Sequence, residues 1–160
     1  MSSSSISSPT SIPPSDPSLP DWLAAIPASS STADLGPLQL AWLGDAVWEL
    51  HHRLRRCRQP GRSGDLHRAV VAEVRADAQA AALAVLERDG LLTPEELELV
   101  RKGRNRAGRG PRKGEAGIYG RATGFETMVG WLFLQDPSRL AQLLAHLENA
   151  DPITPLPVDA

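Results

Sequence analysis

The chain has 160 residues, a formal net charge of −2 and a single cysteine, Cys57. That length holds one domain of ordinary core size with tails, and one cysteine excludes an intramolecular disulfide or a cysteine-rich zinc site, as suits a reducing compartment. No apolar run reaches the roughly 18 residues of a membrane span, and the N-terminal order is not that of a signal peptide, so a soluble cytoplasmic protein with no membrane partner is expected.

Residues 1–20, MSSSSISSPTSIPPSDPSLP, hold nine Ser and five Pro. This composition cannot offset the entropy of ordering, and a disordered tail is predicted. Residues 21–150 form the predicted domain, and 151–160, DPITPLPVDA, read as a second disordered, Pro-rich tail. The first predicted helix runs from Pro37 to Cys57, with Leu43, Val47, Leu50, Leu54 and Cys57 as its packing stripe. A Gly44-Asp45 pair interrupts its apolar segment LAWLGDAVWEL. Glycine costs a helix about 1 kcal/mol relative to alanine, and an unpaired buried carboxylate costs much more, so packing alone does not explain the pair. Asp45 lies roughly 160–200° from the stripe at about 100° per residue, on a second face with Ala41, Glu49 and His52 that can line a cleft or a partner surface. Glu49 is placed either to orient a ligand water or to pair with Arg53 one turn on, the pairing being the commoner role of such a residue. Trp42 and Trp48 are expected to fill core or interface. His51, His52, His67 and His146 show no zinc-type spacing with Cys57 and read as helix-surface residues.

From Asp65 to Arg88 the chain is Ala-rich and helical, with one predicted break between Val74 and Asp77 and a stop at Gly90. Thr93-Pro94-Glu95-Glu96 is a helix start with Thr as N-cap, Pro at N1 and Glu at N3. Glu95, Glu96 and Glu98 read as solvated first-turn acids, and the helix is expected to end between Arg101 and Asn105. A glycine-rich basic loop is then predicted over 103–120, with backbone freedom at Gly103, Gly108, Gly110 and Gly114. Residues 101–121 carry eight Lys/Arg against Glu115 alone, whereas residues 1–52 carry no Lys or Arg and five acids. The local field over a face, rather than net charge, decides whether a polyanion binds. Arg104, Asn105, Arg106, Arg109, Arg112 and Lys113 are therefore candidate nucleic-acid contacts that clamp a phosphate backbone, the plainer alternative being a solvated loop. No Gly-Lys-Ser/Thr follows, so the loop is not a nucleotide-binding P-loop. A smaller basic cluster comprises Arg53, Arg55, Arg56 and Arg58. Tyr119 is open between hinge packing and a phosphate hydrogen bond. The next helix, about Ala122 to Leu134, aligns Phe125, Met128, Val129 and Leu132 with Glu126 among them. Asp136-Pro137 starts the last helix, whose Leu140, Leu143, Leu144 and Leu147 form its stripe.

Two acids thus sit inside apolar helices, Asp45 and Glu126, with a basic run just before the second. Carboxylates and water are the ligands magnesium prefers, and a metal-bound water beside a phosphate is a standard hydrolytic arrangement. Each acid alone is more often a cap partner or a surface residue than a ligand; the combination raises the odds of metal-assisted phosphoester chemistry.

Four segments, LAWLGDAVWELHHR, GDLHRAVVAEVRADAQA, RKGRN and ATGFETMVGWLFL, resemble in order and spacing the Mini-III branch of the ribonuclease III family, the branch without a double-stranded-RNA-binding domain. The resemblance runs from about Leu38 to Leu147. It implies an all-α, ribonuclease III catalytic-domain-like helical bundle, homodimeric, that cleaves both strands of double-stranded RNA with Mg2+ and leaves 5′-phosphate and 3′-hydroxyl ends. It also implies a ribosomal RNA precursor as partner, through maturation of 23S ends. Asp45 and Glu126 map onto catalytic, metal-binding positions; Ala41 and Thr123 stand where full ribonuclease III enzymes carry further carboxylates. The apolar second face of the first helix, with Leu38, Ala41 and Trp42, is the expected dimer contact. Two other classes remain as alternatives: a catalytically silent domain of this type that binds structured RNA in ribosome assembly, and a helical nucleotide phosphohydrolase, which would carry ExxE arrays that this sequence lacks.

Overall fold

The computed structural model describes residues 34–108, 110 and 115–156. The tail expected over residues 1–20 lies outside the described residues, as do Arg109, Arg112 and Lys113. Six helices follow one another: α1 Pro37–Cys57, α2 Ser63–Glu73, α3 Ala76–Arg88, α4 Pro94–Arg106, α5 Ala116–Gln135 and α6 Pro137–Ala150. No strand occurs among the described residues, in agreement with the all-α expectation.

Local chemistry sets the ends of these helices. Arg75 is extended and interrupts the Ala-rich run between α2 and α3. At the end of α3, Gly90 adopts φ +66°, its N–H donates to the Glu87 carbonyl (3.1 Å), and Leu91 N–H donates to the Leu86 carbonyl (3.1 Å), the paired bonds of a Schellman stop. Thr93 Oγ1 accepts from Glu96 N–H (3.2 Å) while the Glu96 carboxylate accepts from Thr93 N–H (2.9 Å), a reciprocal cap that starts α4. Asp136 caps α6 by accepting from Arg139 N–H (3.0 Å).

The long helix α5 is the axis of the domain, packed by α1, α4, α3 and α6. It is buried nearly all round, through Ala122, Thr123, Phe125, Thr127, Met128, Val129 and Leu132, as a helix enclosed by others must be. The core continues through Val47, Trp48, Leu83, Leu86, Leu99, Leu140, Leu144 and Leu147. No helix among the described residues is long and apolar enough to cross a membrane.

Several expectations need correction. The buried face of α1 is Leu40, Ala41, Gly44, Val47, Trp48, His51, His52 and Arg56, while Leu50 and Cys57 are exposed. Apolar residues nearly encircle this helix, so periodicity alone allowed more than one stripe; the close crossing with α5 selects between them. His51 and His52 are buried, not on the surface. Glu96 is 3 % exposed, because Arg139 from α6 reaches it (Nε to Oε1 2.7 Å). Gly103 belongs to α4 and packs against Thr127, and α5 begins at Ala116, so the basic loop is shorter than predicted. Residues 151–156, expected within a disordered tail, lie along α1. There the Thr154 carbonyl accepts from Arg56 Nη1 (2.8 Å) and the Asp151 carbonyl from Arg55 (3.2 Å).

Candidate active site

At Gly44 and Gly130 helices α1 and α5 meet without side chains between them. A Cβ on Gly44 would overlap the Glu126 carbonyl, and one on Gly130 would overlap the Leu40 carbonyl. Each residue next in chain to, or at, this double contact is thereby fixed: Asp45 follows Gly44 on α1, and Glu126 is itself the residue whose backbone Gly44 touches. Gly44 therefore makes room for a neighbouring helix, and the crossing sets two carboxylates side by side.

Asp45 is exposed and Glu126 half-buried, so the pair opens to solvent on one side. Its inner side is closed by Gln79 of α3, 2 % exposed, whose Nε2 donates to Asp45 Oδ1 (3.1 Å). The Glu126 carboxyl lies beside both the Gln79 amide and the Asp45 carboxyl. Burial, and then the Asp45 charge, push Glu126 up to about 8, with the Gln79 amide opposing the shift. Two carboxylates this close ionise together only when a positive charge, a proton or a cation, joins them. A divalent cation fits the same place. The oxygen donors suit magnesium, which characteristically takes one or two protein carboxylates and completes its shell with water and substrate phosphates. Among the described residues no third His, Cys, Asp or Glu joins to form a metal cluster.

The two positions without carboxylates are filled otherwise. Ala41 is 4 % exposed against α5, and the Thr123 hydroxyl donates back to the Tyr119 carbonyl (3.0 Å). Glu49 binds Arg53 (Oε1 to Nε 3.1 Å) and takes no part in the pair. Sequence reasoning missed Gln79. A signal existed: it shares the α3 stripe of Leu83 and Leu86 at i, i+4 and i+7, where a polar residue in an apolar face calls for a partner.

Arg104, Asn105 and Arg106 are exposed at the end of α4, and Arg104 and Arg106 form no ion pair among the described residues. Arg104 packs over Gly120, six residues and about 9 Å along the α5 axis from Glu126. Arg104 and Arg121 border a groove at the start of α5. Tyr119 packs against Gly110, which takes φ +73°. The smaller basic cluster is largely spent inside the fold: Arg53 on Glu49, Arg55 on Glu148 (3.6 Å), Arg56 on Glu73.

Residues 38–137 match the ribonuclease III domain model, and the chain belongs to the ribonuclease III domain family. Within it the relatives are Mini-ribonuclease 3 proteins. That of a Synechococcus strain is 48 % identical over 136 residues, covering 85 % of this chain and 95 % of the relative. That of a Synechocystis strain is 43 % identical over 134 residues, covering 82 % and 92 %. Among solved structures, protein FN1578 from Fusobacterium nucleatum superposes with a TM-score of 0.63 at 26 % identity, covering 74 % of this chain and 92 % of that one. The chain is therefore a member of the Mini-ribonuclease 3 branch.

Proposed function

We propose that this chain is a magnesium-dependent endoribonuclease that cleaves both strands of double-stranded RNA as a homodimer, acting in the cytoplasm on the ends of the 23S ribosomal RNA precursor. The observation that carries the reading is the solvent-facing Asp45–Glu126 pair, two acids of unlike helices forced together by a glycine crossing. A fold that needed only stability would have separated or neutralised them.

In this reading Asp45 and Glu126 hold a divalent ion, which when bound polarises a water and offsets charge on the scissile phosphate. The half-burial of Glu126 excludes bulk water from one side and strengthens the electrostatics of the pair. Arg104 and Arg106, exposed and without an ion pair among the described residues, hold flanking phosphates and fix the register of the duplex, with Asn105 beside them. Arg109, Arg112 and Lys113 extend that basic run in sequence.

The two-fold arrangement follows from the task, because one carboxylate pair per chain must meet two strands related by approximate two-fold symmetry. Trp42, 82 % exposed, and Leu38, 51 % exposed, lie within two turns of Asp45 on α1 and supply an apolar contact for a second copy. Trp42→Glu is expected to shift the protein to monomer in sedimentation at micromolar concentration, since it sets a charge in a desolvated contact. A wild-type monomer that still cuts both strands defeats the two-fold arrangement. The decisive test of the activity is a long RNA duplex incubated with protein and either Mg2+ or EDTA. Cleavage of both strands in Mg2+ alone supports the reading; binding without cleavage in Mg2+ would leave the silent RNA-binding alternative in its place.

A further inference from the structure

Gln79 is a polar residue whose burial the packing of its helix does not need. It sits in an Ala-rich helix, on the stripe that carries Leu83 and Leu86 into the core, and is 2 % exposed. Leucine there would continue the stripe with no desolvated amide. The amide instead reaches the gap between α1 and α5, and its donor set explains why. A carboxamide nitrogen carries two hydrogens; here the Gln79 amide donates to Asp45 Oδ1 at 3.1 Å and lies against the Glu126 carboxyl, favouring its charged form.

We propose that Gln79 is a positioning residue for the carboxylate pair: one neutral amide pins both carboxyl groups from the buried side, fixing the oxygens that remain on the solvent side as those that meet the metal ion. The inference rests on the reading of Asp45 and Glu126 as the metal-binding pair. Three facts support it beyond the bonds themselves. Gln79 closes the face of the pair away from solvent, so it does not compete for an incoming ion. It is uncharged, so it orients the acids without neutralising them. The neighbouring positions that would otherwise brace the pair are silent, Ala41 having no polar atom in its side chain and the Thr123 hydroxyl being turned to its own helix. Outer partners that orient metal-binding side chains are worth about 10–100-fold in metal affinity or activity, and that is the size of effect expected here.

The test is calorimetric titration of Mn2+ and Mg2+ into the full-length protein without RNA, for wild type, Gln79→Leu, Gln79→Asn and Asp45→Asn, with duplex-RNA affinity measured in EDTA. Gln79→Leu is expected to retain fold and RNA affinity in EDTA while weakening metal binding by about 10–100-fold. In steady-state cleavage at saturating Mg2+ it is expected to lower kcat with KM for the duplex unchanged. Gln79→Asn keeps the amide but is one methylene too short to reach both acids, so its metal affinity is expected to lie near that of Gln79→Leu; it serves as the second variant if the leucine protein does not fold. Unchanged metal affinity in whichever of these variants folds, with Asp45→Asn losing the metal, overturns the role of Gln79 alone. Asp45→Asn binding metal as wild type does overturns the metal-site reading, and the inference with it.

Discussion

Helix α1 carries ionisable groups at two places, and the two are settled in opposite ways. Near its C-terminal end His52 and Arg56 face Glu73 of α2: His52 Nδ1 lies 2.9 Å from Glu73 Oε2, and Arg56 Nε donates to Oε1 at 2.8 Å. Burial alone would raise the Glu73 carboxyl, but the hydrogen bonds from His52 and Arg56 outweigh it and hold the group down at about 2. Near the middle of the helix Asp45 faces Glu126 of α5, and there burial and the like charge act together, pushing Glu126 up to about 8. The first cluster answers its own charge. The second has no cation among the described residues, and the absence of side chains at Gly44 and Gly130 lets the two helices bring its carboxylates close. Buried charge that the fold resolves internally belongs to structure, whereas buried charge that waits for an outside ion marks a site.

The largest expected effect is at the unresolved pair. Asp45→Asn and Glu126→Gln should each lower duplex cleavage by at least about a hundredfold, since each removes a metal-binding charge at nearly constant volume. Their stability should move the other way. A carboxyl whose folded pKa is raised from 4.5 to about 8 favours the folded state below pH 4.5, and that preference is lost as pH rises through 8. Metal-free Glu126→Gln is thus expected to melt higher than wild type at pH 8, and added Mg2+ to raise the Tm of wild type but not of the variant. A Glu126→Gln protein that melts below wild type in EDTA at that pH would contradict the comparison.

The crossing itself comes next. Gly44→Ala places a methyl on the Glu126 carbonyl, and such overpacking costs roughly 1–3 kcal/mol. Urea denaturation should read that loss, together with a drop in cleavage as the carboxylates part. A smaller and opposite pattern is expected at the resolved cluster. Glu73→Gln strips Arg56 and His52 of their partner, at about 1–3 kcal/mol for groups left unsatisfied, with cleavage per folded molecule unchanged. The stability that Glu73 supplies is present above pH 4.5 and lost as pH falls toward 2, so the gap between variant and wild type in acid-denaturation curves should close over that window. His51 acts in the same direction over a wider one. Burial and its cationic neighbours hold its imidazole at about 3 instead of 6.5, so the unfolded chain takes up its proton first and the fold weakens as pH drops below 6.5. The smallest effect belongs to the surface. Arg104→Ala with Arg106→Ala should weaken duplex binding and reduce the slope of log K against log salt by about one unit per residue; a binding assay across salt concentrations with an unchanged slope would return these arginines to a solvated role.

Features whose causes are local were legible in the residues alone. Thr93-Pro94 with Glu96 specified a helix start, Gly90 a stop, and Asp136-Pro137 a second start, because a cap needs only the hydrogen-bond groups of one turn. Asp45 and Glu126 stood out for the same kind of reason, as acids inside apolar runs, and the order of four motifs was enough to indicate the family. What the tertiary structure decided were matters between helices. Glu96 and Asp45 are both acids in helices, but only the arrival of Arg139 from α6 buries one in an ion pair, while Glu126 meets the other as a like charge. Of the basic cluster, Arg53, Arg55 and Arg56 are taken up by Glu49, Glu148, Glu73 and the backbone of residues 151–156, and only the Glu49 pairing lies within the one turn that linear spacing reveals. Gln79 has no meaning within its own helix. It acquires one only where α1 and α5 touch through glycine, because a hydrogen bond depends on positions in space to within a few tenths of an ångström, and the packing of three helices fixes those positions.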